Sequence, residues 1–164
     1  MKTLFIIRHS KSSWKNANLS DHERPLNKRG NIDAKLISNY LSSVVRNIDF
    51  LHCSSSKRTR ETAVYFLEKI NINKQNYDDQ LYHVSSEDLL QAIRAYNNTL
   101  SSAMIIAHNP GLTNFVNLLT DLNLWNLPTT GMIVIDFNVS SWEEIKENNG
   151  KILFKKFPKE FKKE

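Results

Sequence analysis

The chain has 164 residues, of which 40% are apolar and 24% charged, with four Gly and four Pro; this is the length of one globular domain, and collagenous, low-complexity and wholly disordered classes are excluded. Its net charge of +5 is uneven, because Lys151, Lys155, Lys156, Lys159, Lys162 and Lys163 against Glu160 and Glu164 put +4 of it from residue 151 onward. The body is close to neutral, so no nucleic-acid partner is expected, and residues 159–164 read as a basic tail, either solvated or a weak electrostatic docking surface, behind a single domain over 1–158.

Thr3 to Ile7 is a short apolar run with β-branched character between charged residues, which predicts a central strand buried on both faces. Four apolar residues, Leu4 to Ile7, are too few for a signal peptide. No later stretch approaches the roughly 18 to 20 apolar residues of a membrane span, so no membrane partner is expected. Residues 8–27 form a polar loop. From Lys28 to about Val44, the residues Ile32, Leu36, Ile37, Tyr40, Leu41 and Val44 recur three and four apart, the stripe of a helix packed on a sheet. Asp49 to Cys53 predicts a second strand, and Ser54, Ser55 and Ser56 offer caps to a helix with Ala63, Val64, Leu67 and Ile70 on its inner face. Cys53 is the single cysteine; a lone thiol suits a reducing compartment, and the cytoplasm is the expected location. Ser85 with Asp88 resembles a capping box that opens a helix carrying Leu89, Leu90, Ile93 and Tyr96 on one face. Ala103 to Ala107 is the next buried strand, His108-Asn109-Pro110-Gly111 breaks the pattern, and Leu112 to Leu119 is an apolar helix. Met132 to Phe137 and Ile152 to Phe157 predict two late strands, separated by a polar segment around Trp142. This alternation predicts a three-layer α/β/α sandwich with a largely parallel central sheet, in which function gathers at the carboxyl ends of the strands.

Three places put reactive residues directly after a predicted strand: Arg8-His9-Ser10-Lys11, the turn from Ser54 to Arg58, and His108-Asn109-Pro110-Gly111. They should converge on one rim. Arg58 falls in the first turn of its helix, near free N–H groups that favour an anion. Two guanidinium forks grip the oxygens of one phosphoryl group bidentately, as lysine cannot. Alone, Arg58 and Arg60 also fit a solvated face pairing with Glu61, and His108 also fits a local backbone cap. Together, two histidines and two arginines point to phosphoryl transfer: one neutral imidazole attacks phosphorus in line while the cations and the second histidine stabilise the equatorial oxygens. The nucleophile's other ring nitrogen should donate to a backbone carbonyl that fixes the tautomer. Lys11 and Arg24 are further candidates for substrate binding. His22, His52 and His83 show no His-x-x-x-His spacing and one Cys gives no thiolate cluster, so neither a metal nor another cofactor is expected.

The strand with Arg8-His9-Ser10-Lys11, the segment Asp21 to Gly30 (DHERPLNKRG), the segment Ser54 to Thr62 (SSSKRTRET) and Ala107 to Leu112 (AHNPGL) resemble, in order, four motifs of the histidine phosphatase superfamily, the phosphoglycerate mutase-like fold, and within it the small SixA-type phosphohistidine phosphatase branch. The resemblance covers nearly the whole chain. It implies that His9 is the nucleophile and that Arg8, Arg58 and His108 complete the phosphate pocket. Ser10 stands where relatives carry Gly or Ala, and its hydroxyl either adds a phosphate contact or merely fits. Larger branches carry a Glu where this chain has Gln80, which cannot ionise; Asp21, Asp78 and Asp79 remain as carboxylates, with Asp21 and Asp79 the candidate proton donors. An alkyl phosphate needs its leaving oxygen protonated, whereas a phosphoramidate leaves as neutral imidazole once its own nitrogen is protonated. A missing acid therefore favours a P–N substrate, and the absence of a long insertion implies an open pocket. The expected activity is hydrolysis of phosphohistidine on a signalling or phosphotransfer protein, by a monomer or weak dimer. The alternatives are a phosphatase for phosphorylated small molecules (monoesters) and a noncatalytic phosphate-binding or interaction module.

Overall fold

Leu4 to Ile7, apolar at every position, satisfy both faces of a sheet at once, and they form the middle of a central strand, β1 (Lys2–Arg8), in which all four are buried. The computed structural model describes residues 1–162. After β1 come α1 (Lys28–Val44), β2 (Asn47–Ser54), α2 (Lys57–Leu67), β3 (Asn71–Asp78), α3 (Ser86–Arg94), β4 (Ser102–Ala107), α4 (Gly111–Leu119), β5 (Met132–Phe137) and β6 (Gly150–Lys156). The six strands form one sheet in the order β3-β2-β4-β1-β5-β6. The pairs β3–β2, β2–β4 and β4–β1 are parallel, and β1–β5 and β5–β6 antiparallel, so the sheet is mixed and mostly parallel.

Each face of the sheet has its own core. Phe5, Ile7, Leu51, Met104 and Ile106 meet Ile37 and Leu41 of α1 and Ala63 and Phe66 of α2. Leu4, Ile6, Ile105 and Ile133 meet Leu89 and Ile93 of α3 and Phe115, Val116 and Leu119 of α4. Local chemistry fixes the helix starts: the side chains of Asn27, Ser56 and Ser85 accept from Gly30, Thr59 and Asp88 N–H as N-caps of α1, α2 and α3.

Several expectations about faces need correcting. Ile32, Val44 and Val64 are exposed; the inner face of α2 is Ala63 and Phe66, followed past the helix by Ile70, a spacing that rotates Val64 outward. β3 was not expected. Its sequence, NINKQNYD, buries only Ile72 because it is an edge strand. Trp142, in the predicted polar segment, is fully buried, its Nε1–H donating to Leu100 O at 2.8 Å. Of the predicted tail, residues 159–161 continue a short 3-10 turn, Phe161 packs on Tyr40, and Lys162 pairs with Asp33 at 3.0 Å; residues 163 and 164 lie outside the described residues.

Candidate active site

Two imidazoles are set side by side by strand register. His9 and His108 are the first residues past β1 and β4, whose parallel pairing ends with Arg8 opposite Ala107. Their ring centroids are 5.2 Å apart. His9 is buried, with Nδ1 at 2.7 Å from Ser10 O. A carbonyl only accepts, so the proton sits on Nδ1 and Nε2 keeps its lone pair, the tautomer the chemistry requires. Burial pushes the His9 pKa down to about 3, opposed by the Ser10 hydrogen bond and helped by the charges of Arg58, Arg8 and Arg24. His9 is thus a neutral base over the physiological range.

Three guanidiniums surround it. Arg8 donates through Nη1 to Leu127 O at 3.0 Å. Arg58, in the first turn of α2, donates to the backbone oxygen of Asp21 at 2.7 Å and to its carboxylate at 3.1 Å. Arg24 lies over the indole of Trp14, Cζ 3.4 Å from the ring centroid, pairs with Asp21 at 3.3 Å and donates to Ser12 Oγ. The Nε of all three is buried with no protein partner. Burial, and then the charge of Arg58, holds Arg8 and Arg24 below the usual guanidinium range. Unpartnered buried donors on crowded like charges call for an anion between them. Together with His9, Lys11 and Thr129 they line a pocket of about 260 Å³.

His108 is the second imidazole, reached through a cis Asn109–Pro110 turn. Arg58 Nη2 can only donate, so at 3.4 Å His108 Nδ1 accepts, and Nε2–H donates to Ser54 Oγ at 2.8 Å. Burial first, then His9 and Arg58, push its pKa down to about 2. Tyr82 stands edge-on to His108, centroids 5.4 Å apart, and its hydroxyl donates to the Asp21 carboxylate. That hydrogen bond, with Arg58 and Arg24, holds the carboxyl of Asp21 below the usual range against the opposing effect of burial.

The structure therefore brings Arg8, His9, Arg58, His108, Lys11, Arg24 and Asp21 to one place. It does not bring Ser10 into the lining: Ser10 is fully buried, its hydroxyl accepts from Thr130 Oγ1 at 2.7 Å and its N–H donates to Thr62 Oγ1 at 2.9 Å, while its carbonyl is the one that accepts from His9 Nδ1. Nor does it bring Asp79, which is exposed and outside the pocket lining. Asp78 is used elsewhere, accepting from His52 Nε2 at 2.8 Å and capping Gln80 N–H. Among the described residues, no group of three or more His, Cys, Asp or Glu is arranged to hold a metal ion, and no helix is long and apolar enough to cross a membrane.

Sequence reasoning missed Ser54, Thr62, Tyr82 and Thr130. Ser54 and Thr62 bound the motif Ser54 to Thr62, and a hydroxyl at each end was a usable signal. Thr130 carries none. It adopts φ 60°, a costly conformation for a β-branched residue, held by N–H contacts to Arg8 O and His9 O at 3.0 and 3.2 Å. Tyr82 carries none either, because only the fold places it above Asp21.

The model of the histidine phosphatase superfamily (branch 1) matches residues 4–86. An uncharacterized chloroplastic protein of Arabidopsis thaliana is 28% identical over 153 residues, 87% of this chain and 70% of that protein. Among solved structures, a protein histidine phosphatase SixA complexed with tungstate superposes with a TM-score of 0.82 at 21% identity, over 98% of this chain and 99% of that one. A candidate phosphohistidine phosphatase SixA from Agrobacterium tumefaciens superposes with a TM-score of 0.79 at 23% identity, over 94% and 96% of the two chains. At these identities the shared property is the fold.

Proposed function

The chain belongs to the histidine phosphatase superfamily, and on that premise we propose that it hydrolyses phosphohistidine on a protein substrate, without a metal, through a phosphoryl group carried on His9. The observation that carries the reading is the hydrogen bond from His9 Nδ1 to Ser10 O, which leaves Nε2 as a neutral nucleophile among three guanidiniums. The lone pair of Nε2 forms the new P–N bond as the P–N bond of the substrate breaks, and the leaving imidazole departs neutral from the form of the substrate whose other ring nitrogen has taken a proton from solvent. Arg8, Arg24 and Arg58 take the equatorial oxygens, supplying donors where charge develops. An arriving phosphoryl oxygen competes for Arg58 Nη2 and favours uptake of a solvent proton at His108 Nδ1, which then donates to an equatorial oxygen and not to the leaving group. Water attacks phospho-His9, the P–Nε2 bond breaks, and inorganic phosphate leaves.

The absence of a fitted acid favours the P–N substrate over an alkyl ester. Asp21 is the carboxylate in the lining, and Tyr82, Arg58 and Arg24 hold it ionised. An ionised carboxylate has no proton to give a leaving alkoxide. The test measures phosphate release from a histidine-phosphorylated protein and from an aryl phosphate, with chelator present, for the wild type and His9→Ala. We expect chelator-resistant, His9-dependent release, fastest on the phosphohistidine protein, with an acid-labile phosphoenzyme trapped in the wild type only. Equal or faster turnover of the aryl phosphate moves the substrate class to small monoesters, and release from neither leaves a binding module.

A further inference from the structure

Two tryptophans stand in solvent, Trp14 at 73% exposure in the lining of this pocket and Trp125 at 96% in the loop before Leu127. Trp14 is explained by Arg24. Trp125 touches no part of the chemistry, yet the loop that presents it is clamped: Asn117 bonds both Leu124 O and Leu124 N–H at 2.8 Å, and Leu127 N–H donates to Thr113 Oγ1 at 2.9 Å. The same loop reaches the site, since Leu127 O accepts from Arg8 and Asn126 accepts from Asn109 beside His108. An indole held out by a rigid loop at an active-site rim has the character of an interface anchor.

Asn126, the residue after Trp125, lines a depression of about 240 Å³ together with Arg29, Lys159, Lys162, Pro128 and Phe157, and Thr129 borders both it and the catalytic pocket. Arg29 and Lys162 both answer the buried Asp33, at 3.5 and 3.0 Å, so two cations share one carboxylate, and Lys159 is exposed in the same lining. The cationic side continues along Lys15 and Lys28. On the other side of His108 the sign reverses: Glu87 lines the depression that Tyr82 and His108 share. A mouth basic on one side and acidic on the other fixes the direction in which a charged partner lies.

We propose that the face formed by Trp125, Arg29, Lys159 and Lys162 docks the substrate protein, and that it selects phosphohistidines flanked by acidic surface. This rests on the phosphohistidine reading above and adds the class of protein that carries it. Trp125 supplies the buried contact, and the cations supply steering and register.

The test uses peptides that differ only in having Glu, Ser or Lys flanks around one phosphohistidine, long enough to cross from the pocket to Trp125, with phosphoramidate as the small substrate. At about 50 mM salt we expect kcat/KM for the Glu-flanked peptide to exceed that for the Ser-flanked one about tenfold, and the advantage to collapse at about 500 mM. Lys159→Glu removes the preference, Trp125→Ala lowers kcat/KM on the peptides about tenfold, and both variants hydrolyse phosphoramidate at the wild-type rate. If phosphoramidate is hydrolysed but flanking charge and Trp125 make no difference, the docking face is overturned while the phosphatase reading stands. If neither phosphoramidate nor any peptide is hydrolysed by the wild type, the phosphatase reading fails and this inference with it. Salt-sensitive RNA or DNA binding lost in Lys159→Glu assigns the face to nucleic acid and also overturns the proposal.

Discussion

Lowering the pH from 7 to 5 should destabilise this protein through the two buried histidines of the candidate site, and the size follows from their burial. Both are pushed down from an ordinary 6.5, His9 to about 3 and His108 to about 2. A histidine whose folded pKa is depressed binds protons in the unfolded chain first, so stability falls as pH drops below about 6.5 and goes on falling until the folded pKa is reached. Between pH 7 and 5 each is therefore worth about 2 kcal/mol, at 1.36 kcal/mol per unit, and the pair about 4 kcal/mol. Asp21 and Asp78, held low, add their loss only below the carboxylate range, outside this window. The assay is urea unfolding at pH 7 and 5 for the wild type and for His9→Gln with His108→Gln. The double variant should lose about 4 kcal/mol less than the wild type on acidification. Inorganic phosphate should narrow the gap, because an anion among the guanidiniums lets the imidazoles charge in the folded state. Parallel pH dependence in the two proteins would refute the assignment of neutral buried imidazoles.

Two substitutions separate chemistry from scaffold. Asp21→Asn should lower kcat/KM on a phosphohistidine protein only a few-fold, since Asp21 positions Arg58 and Tyr82 and has no proton to give; a loss beyond about a hundredfold on that substrate, ~2.7 kcal/mol of transition-state stabilisation, would make it the acid after all. Gly30→Ala places a Cβ 2.1 Å from Lys11 O, backbone that also accepts from Asn27 N–H at 2.9 Å. Separating α1 from the pocket loop should cost about 3 kcal/mol in urea unfolding and lower activity with it, and a change under about 1 kcal/mol contradicts so tight a contact.

Elements whose pattern answers to burial were legible. α1 has the predicted bounds because Asn27 caps it and Leu41 and Ile37 recur on its inner face, and β5 likewise, being apolar at five of its six positions. β3 was not, because an edge strand that buries only Ile72 has no periodicity to read. The residues of the candidate site follow the same division. Arg8, His9 and His108 stand immediately after buried runs, and the tautomer required of His9 follows from nucleophilic chemistry before any coordinate is known. Tyr82, Thr130 and the buried place of Ser10 depend on three segments far apart in sequence meeting under one loop. Residue identity alone cannot encode that meeting.

The same division bears on the proposed substrate, through what the site lacks. On the proposed reading, three arginines with unpartnered Nε atoms and two buried imidazoles would stabilise a phosphoryl group whatever its leaving group. Discrimination must then come from the leaving side, where the pocket's carboxylate is spent on Arg58, Arg24 and Tyr82. Freeing Asp21 for acid catalysis would take those three contacts away together and leave Arg58 without its bidentate hold on that residue. Positioning the guanidinium and donating a proton are therefore alternatives at this position. The structure takes the first, which is the arrangement the proposed substrate needs, since a protonated phosphohistidine ring brings its own proton.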